Sequence, residues 1–147
     1  MLTTDLQLVS DSKTILVVDD DLSVLTVIKC MLAGGDYNIL MANSAESALR
    51  MADRDDLTID LMLIDVVMPD VLGPDLAERI LARRPQLKVM FMSGYTDSEV
   101  VRVKILDRGL GFLRKPFTLN CLLERVRTVL SPPAHRLAAA GSSVFLQ

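Results

Sequence analysis

Five times along the chain a short apolar run gives way to an amphipathic stretch, and this alternation narrows the fold more than any other feature. The runs fall at residues 14–18, 37–41, 60–64, 88–92 and 111–113, and they are rich in Val, Ile, Leu and Met. Unbroken apolar runs of this length suit strands that are covered on both faces. Between them lie helix patterns. Leu22, Leu25, Ile28 and Leu32 mark one face of the first. The second opens at Asn43, with Glu46 at capping-box spacing. The third starts at Pro74, a residue favoured in a first helical turn, and runs to about Arg83. Asp97 caps the fourth, which stops near Gly109. Thr118 caps the fifth, whose apolar face is Leu119, Leu122, Leu123, Val126 and Leu130, and Ser131, Pro132 and Pro133 end it.

Five successive β-α units imply one α/β domain: a doubly wound, five-stranded parallel sheet with helices on both faces. The 147 residues suffice for one such domain, expected over 13–131. Residues 1–12 are expected to be a tail or linker, and 132–147 a tail, linker or cloning remnant. The expected strand order is 2-1-3-4-5, which places ligands beyond the carboxyl ends of the strands, where strands 1 and 3 meet.

Composition removes several functional classes. A net charge of −3 argues against a nucleic-acid surface, which needs clustered Lys and Arg. No apolar run approaches the roughly 20 residues of a membrane span. The first residues lack the basic start and apolar stretch of a signal peptide, so a cytoplasmic location is expected. Cys30 and Cys121 sit within helix patterns and are expected to be reduced core thiols. His135, the only histidine, reads as a solvated tail residue.

The strand ends carry the polar chemistry. Strand 1 runs into Asp19, Asp20 and Asp21, strand 3 into Asp65, strand 4 into Ser93 and strand 5 into Lys115. Taken singly, each has a plain structural use. An aspartate or serine caps turns and helices, as Asp21 is expected to do for the first helix, and a lysine is usually a solvated charge. Their convergence on one rim is different, because four loops deliver complementary groups to the expected ligand site. Asp19, Asp20 and Asp65 cannot all stay ionised at close quarters without a counter-charge. Mg2+ suits them, since it takes oxygen ligands and is commonly bound by one or two carboxylates plus phosphate oxygens. A carboxylate beside it can act as a nucleophile toward phosphorus. Lys115 and Ser93 can donate hydrogen bonds to the same oxygens.

The segments "ILVVDDD", "LMLIDVVMPDVLGPDL", "VMFMSGYTD" and "GFLRKPF" resemble, in order and spacing from about Lys13 to Leu130, the receiver domain of two-component response regulators. The resemblance implies a flavodoxin-like fold with Asp65 as phosphoacceptor. It implies Mg2+ held by Asp19, Asp20, Asp65 and the backbone carbonyl of Val67. Ser93 would bond the transferred phosphoryl group, Lys115 would pair with Asp65 or its phosphate, and the Lys115–Pro116 peptide would be cis. Phe112 matches an aromatic switch position that turns inward when Ser93 moves, reshaping the face of helix 4, strand 5 and helix 5 toward a downstream partner. The implied donor is a histidine kinase or histidine phosphotransfer protein. Val67 and Tyr95 stand where relatives often carry polar groups that influence the attacking water, so slow self-dephosphorylation is expected. The phrasing of "FMSGYTD" and "FLRKPF" resembles receivers at the C-terminus of hybrid sensor histidine kinases; a stand-alone response regulator is the alternative.

A rival from another class is a haloacid-dehalogenase-like phosphatase, loosely mimicked by Asp19, Asp21, Ser93 and Lys115. That fold needs further acidic metal ligands after the lysine, where only Glu124 follows, and it leaves Asp65 idle. A receiver-like interaction module without phosphorylation is a third, disfavoured because all five key positions are filled.

Overall fold

A computed structural model describes residues 12–94 and 111–131. Its elements are β1 (Lys13–Val18), α1 (Leu22–Leu32), β2 (Tyr37–Ala42), α2 (Ala45–Ala52), β3 (Leu61–Asp65), α3 (Gly73–Arg83), β4 (Lys88–Ser93), β5 (Gly111–Arg114) and α4 (Leu119–Leu130). α4 is the fifth helix of the sequence pattern. The fourth, expected between Asp97 and Gly109, and Tyr95 lie outside the described residues.

All strand pairings are parallel and the strand order is β2-β1-β3-β4-β5, the order expected. Successive residues of each strand feed opposite faces. Ile15 and Val17 join Leu61, Leu63, Met90 and Met92 under α1 and α4, where they meet Leu25, Ile28, Leu32, Leu122 and Val126. Leu16 and Val18 join Met62, Ile64 and Phe91 under α2 and α3, against Ala48, Leu76 and Ile80. A fully buried side chain of this kind contributes roughly 1.5–3 kcal/mol. Two such layers make the sheet a rigid base, and the residues just past its strand ends inherit that rigidity.

Caps place the helices on this base. The Asp21 carboxylate accepts from the Ser23 amide at 2.8 Å, and Thr118 Oγ1 accepts from the Cys121 amide at 3.1 Å. Both caps match expectation. Three details do not. α2 is capped by Ser44, whose Oγ accepts from the Ser47 amide at 3.1 Å, so the helix begins one residue later than the Asn43–Glu46 spacing suggests. Leu22 and Leu119 are 63% and 45% exposed, because each is the first residue of its helix and the buried stripe starts only at Leu25 and Leu122. Cys30 and Cys121 are exposed free thiols rather than core residues. Cys30 lies two residues, about 200°, around the helix from buried Ile28, and Cys121 lies about 100° from buried Leu122.

Candidate phosphoacceptor site

β1, β3, β4 and β5 end at one rim, and their register sets the depth of each polar group. Val18 pairs with Ile64, Asp65 with Met92, and Ser93 with Arg114. Asp19 follows β1 directly, and its amide still donates to Ala42 at 3.1 Å, so the residue is held at sheet level and is only 1% exposed. Asp20, one residue on, is exposed. Asp65 closes β3 with 13% of its side chain exposed.

Burying Asp19 requires partners, because an isolated buried carboxylate is costly. Oδ1 accepts the Asp21 amide at 2.9 Å. Oδ2 accepts Lys115 Nζ at 3.0 Å. The same ammonium lies 3.5 Å from Asp65 Oδ2, so Lys115 stands between the two carboxylates. The sequence pointed to Asp65 as the lysine's partner; the structure adds Asp19 as the nearer one. Asp19, Asp20 and Asp65 each offer an oxygen, all within 4.8 Å of one another.

One ammonium does not satisfy three carboxylates. Burial pushes the Asp65 carboxyl up to about 6, opposed by the charge of Lys115 and reinforced by that of Asp19. Burial pulls Lys115 down, but its hydrogen bond to Asp19 and the charges of Asp65 and Asp19 outweigh it, and its pKa is raised overall. The site therefore has an anionic excess and three hard oxygen donors, a donor set that fits Mg2+.

The remaining residues surround this centre. Ser93 is 4% exposed, its Oγ donates to the Gly94 carbonyl at 3.1 Å, and its own carbonyl accepts the Lys115 amide at 2.7 Å. The Lys115–Pro116 peptide is cis. Phe112 is half-buried against the α2/α3 core layer, and Arg125 of α4 donates to its carbonyl at 3.0 Å. Val67 is 46% exposed and forms an antiparallel bridge with Leu72 at the mouth of the β3–α3 loop. Beside Lys115 a cleft of about 510 Å³ separates α1 from the β5–α4 connection, lined by Val24, Val27, Ile28, Met31, Pro116 and Phe117. Gly73, which closes the β3–α3 loop, was missed in the sequence; its only signal was a glycine eight residues beyond Asp65.

The model of the response regulator receiver domain matches residues 15–127. The chain belongs to this family. Among its relatives, the transcriptional regulatory protein ZraR of Escherichia coli (strain K12) is 32% identical over 121 residues, covering 82% of this chain and 27% of that protein. The sensor kinase CckA of Brucella abortus (strain 2308) is 34% identical over 121 residues, 82% of this chain and 13% of the kinase. The receiver thus spans less than a third of either relative. In three dimensions, a CheY-like response regulator receiver domain protein from Methanospirillum hungatei JF-1 matches with a TM-score of 0.73 at 30% identity, covering 82% of this chain and 94% of that one. The phosphatase fold weighed above is set aside by these matches. Among the described residues no helix is long and apolar enough to cross a membrane.

Proposed function

We propose that this receiver takes a phosphoryl group from a phosphohistidine of a histidine kinase or histidine phosphotransfer protein onto Asp65, within a two-component phosphorelay. The observation that carries the reading is the meeting of three carboxylate oxygens within 4.8 Å, with the Lys115 ammonium bridging two of them. Asp65 attacks phosphorus through a carboxylate oxygen; the new O–P bond forms as the N–P bond to the imidazole breaks, and the imidazole leaves. Asp19, Asp20, Asp65 and the Val67 carbonyl would hold Mg2+. Bound there, the ion supplies the missing positive charge and neutralises the phosphoryl oxygens. Lys115 donates to those oxygens, a charge-assisted bond that strengthens as charge develops. Ser93 then bonds the phosphoryl group, and Phe112 turns further inward beside β5.

The output face is β5, α4 and the helix expected before β5, read by a downstream protein. The cleft between α1 and the β5–α4 connection has Lys115 on its wall, so a donor delivering phosphorus to Asp65 comes to rest over apolar Val24, Val27 and Phe117. With a net charge of −3, the domain is assigned no nucleic-acid contact of its own, nor any membrane contact. We place it in the cytoplasm, as the C-terminal receiver of a hybrid sensor kinase. The likeness to the sensor kinase CckA and the wording around Ser93 and Lys115 support that origin.

Incubation with acetyl phosphate and Mg2+, followed by intact-mass measurement, is expected to add one phosphoryl group per chain and none to Asp65→Asn. A wild type that takes no label, or an Asp65→Asn chain that takes one, sinks the assignment. Once formed, the phosphate is expected to be long-lived, because neither aliphatic Val67, two residues past Asp65, nor aromatic Tyr95, two residues past Ser93 in the sequence, offers a polar group to orient a water. Val67→Asn is expected to shorten the lifetime several-fold. A wild-type phosphate that decays as fast as the variant's, or faster, counts against that role.

A further inference from the structure

Gly73 opens α3 and is buried, eight residues beyond Asp65. Its amide donates to the Val66 carbonyl at 2.6 Å, and the Val67–Leu72 bridge is nested one residue inside that bond. Residues 66–73 thus form a loop tied shut at its base, against the last residue of β3. The tie is too close for any side chain. A Cβ on Gly73 would overlap the Asp65 carbonyl oxygen, and would lie 3.0 Å from Val66 Cα and 3.1 Å from the Asp65 carbonyl carbon. All three atoms are backbone, so no rotamer change relieves the overlap. Gly35 contrasts with this, since its Cβ would meet only the ring of Tyr37, which can swing away.

We propose that Gly73 is a positioning residue for the phosphoacceptor: it lets the start of α3 press directly on the Asp65–Val66 peptide and so sets where Asp65 and Val67 stand. The inference rests on Asp65 being the acceptor. The pressed peptide is held to β4 by its own N–H, and its flanks are pinned as well. Ile64 is paired with Phe91, the Val66 amide donates to Met92 at 2.9 Å, and Met68 is 7% exposed in the core. A displacement forced by a methyl group therefore emerges in the few residues between these anchors. Those residues carry the carboxylate at one end and, two positions on, the carbonyl assigned to the metal. Reacting groups misplaced by about 1 Å lose on the order of a hundredfold in rate.

The test compares Gly73→Ala with Leu76→Ala, which opens a cavity under the same helix but adds no atom against the Asp65–Val66 peptide. Gly73→Ala is expected to weaken Mg2+ binding at least about tenfold and to slow labelling by acetyl phosphate by about tenfold to a hundredfold. Leu76→Ala is expected to lose stability yet keep its Mg2+ affinity within about twofold. Equal Mg2+ affinities for Gly73→Ala and wild type, or equal losses in the two variants, overturn the inference. Should Gly73→Ala fail to fold, amide hydrogen exchange in the wild type decides. The Gly73 amide is expected to be protected, and more so with Mg2+; exchange at the rate of an exposed loop amide overturns the tie itself. A wild type that binds Mg2+ but takes no label sinks the acceptor assignment instead, while the Mg2+ comparison still judges Gly73.

Discussion

Lys115→Ala is expected to destabilise the Mg2+-free domain by about 3 kcal/mol and to slow labelling of Asp65 roughly a hundredfold. Both effects come from one ammonium. Asp19 is 1% exposed, and Lys115 is its charged partner at 3.0 Å. Removing one member of a buried pair leaves the other charge uncompensated, which costs about 3–5 kcal/mol; the 26% exposure of Lys115 puts this case at the low end. The rate effect follows from losing a donor that stands 3.5 Å from the Asp65 carboxylate, where the proposed transfer would develop charge on the phosphoryl oxygens. The two losses respond differently to metal. Mg2+ can replace the missing positive charge between the carboxylates, so saturating Mg2+ is expected to restore most of the stability. It cannot replace the directed N–H donors, so the slow labelling persists. Denaturant unfolding with and without Mg2+, alongside labelling rates, separates the two. A variant as stable as wild type without metal would show that the amine does not balance Asp19.

Asp65→Asn is expected to make the Mg2+-free domain more stable than wild type at pH 8, by about 1–3 kcal/mol, although it abolishes the acceptor. The sign follows from the raised carboxyl. Asp65 keeps its proton to about pH 6 in the folded state, whereas an unfolded aspartate loses it near pH 3.9. Between these values the folded chain binds more protons than the unfolded one, so wild-type stability falls as pH rises through that window. Asparagine keeps the shape without the charge and removes this term. The two proteins are therefore expected to converge near pH 4 and to separate up to about pH 7. Mg2+ competes with the same proton. Its affinity for wild type is expected to be flat above about pH 7 and to drop roughly tenfold per pH unit below 6. Urea midpoints at pH 4, 6 and 8 in chelator, with Mg2+ titrations at the same values, check both. A gap between the proteins that does not change with pH would mean that Asp65 carries no buried-charge penalty.

The unusual economy of this site is that the charge of Asp65, the acid that reacts in the proposed transfer, destabilises the domain it belongs to. Charges that a packing core would reject are held in place by a sheet with far more buried apolar surface than the rim can undo. The energy released when a cation enters, and balances the further negative charge that a phosphoryl group brings, is then available to shift neighbouring residues. Phe112 is well placed to feel such a shift, since Lys115 follows directly on its strand, three residues on, and its carbonyl is bonded to Arg125 of α4.

The sequence by itself determined the parallel α/β class, the burial of the central strands and the strand-end positions of Asp19, Asp20, Asp65, Ser93 and Lys115, because each depends on local pattern; the strand order came with the family resemblance, and edge strand β2 leaves Asn38 and Met41 exposed. An apolar run must be buried, a polar residue must end it, and parallel crossovers leave few topologies. Tertiary structure alone decided the rest. Two adjacent aspartates look alike in the chain, yet sheet register buries Asp19 and leaves Asp20 in solvent. Lys115 meets Asp19 as closely as it does only because β1 and β5 end at the same rim, although the two residues are 96 positions apart in the chain. The helix stripe predicted Leu25 and Ile28 but could not show that Leu22 and Leu119 fall a turn short of the sheet. Cys30 and Cys121 were misplaced for a related reason: helical periodicity marks which residues share a face, and packing decides how wide the buried face is. Gly73 is the extreme case, because its role is an absent atom, and the backbone that requires the absence exists only once β3 and α3 are docked.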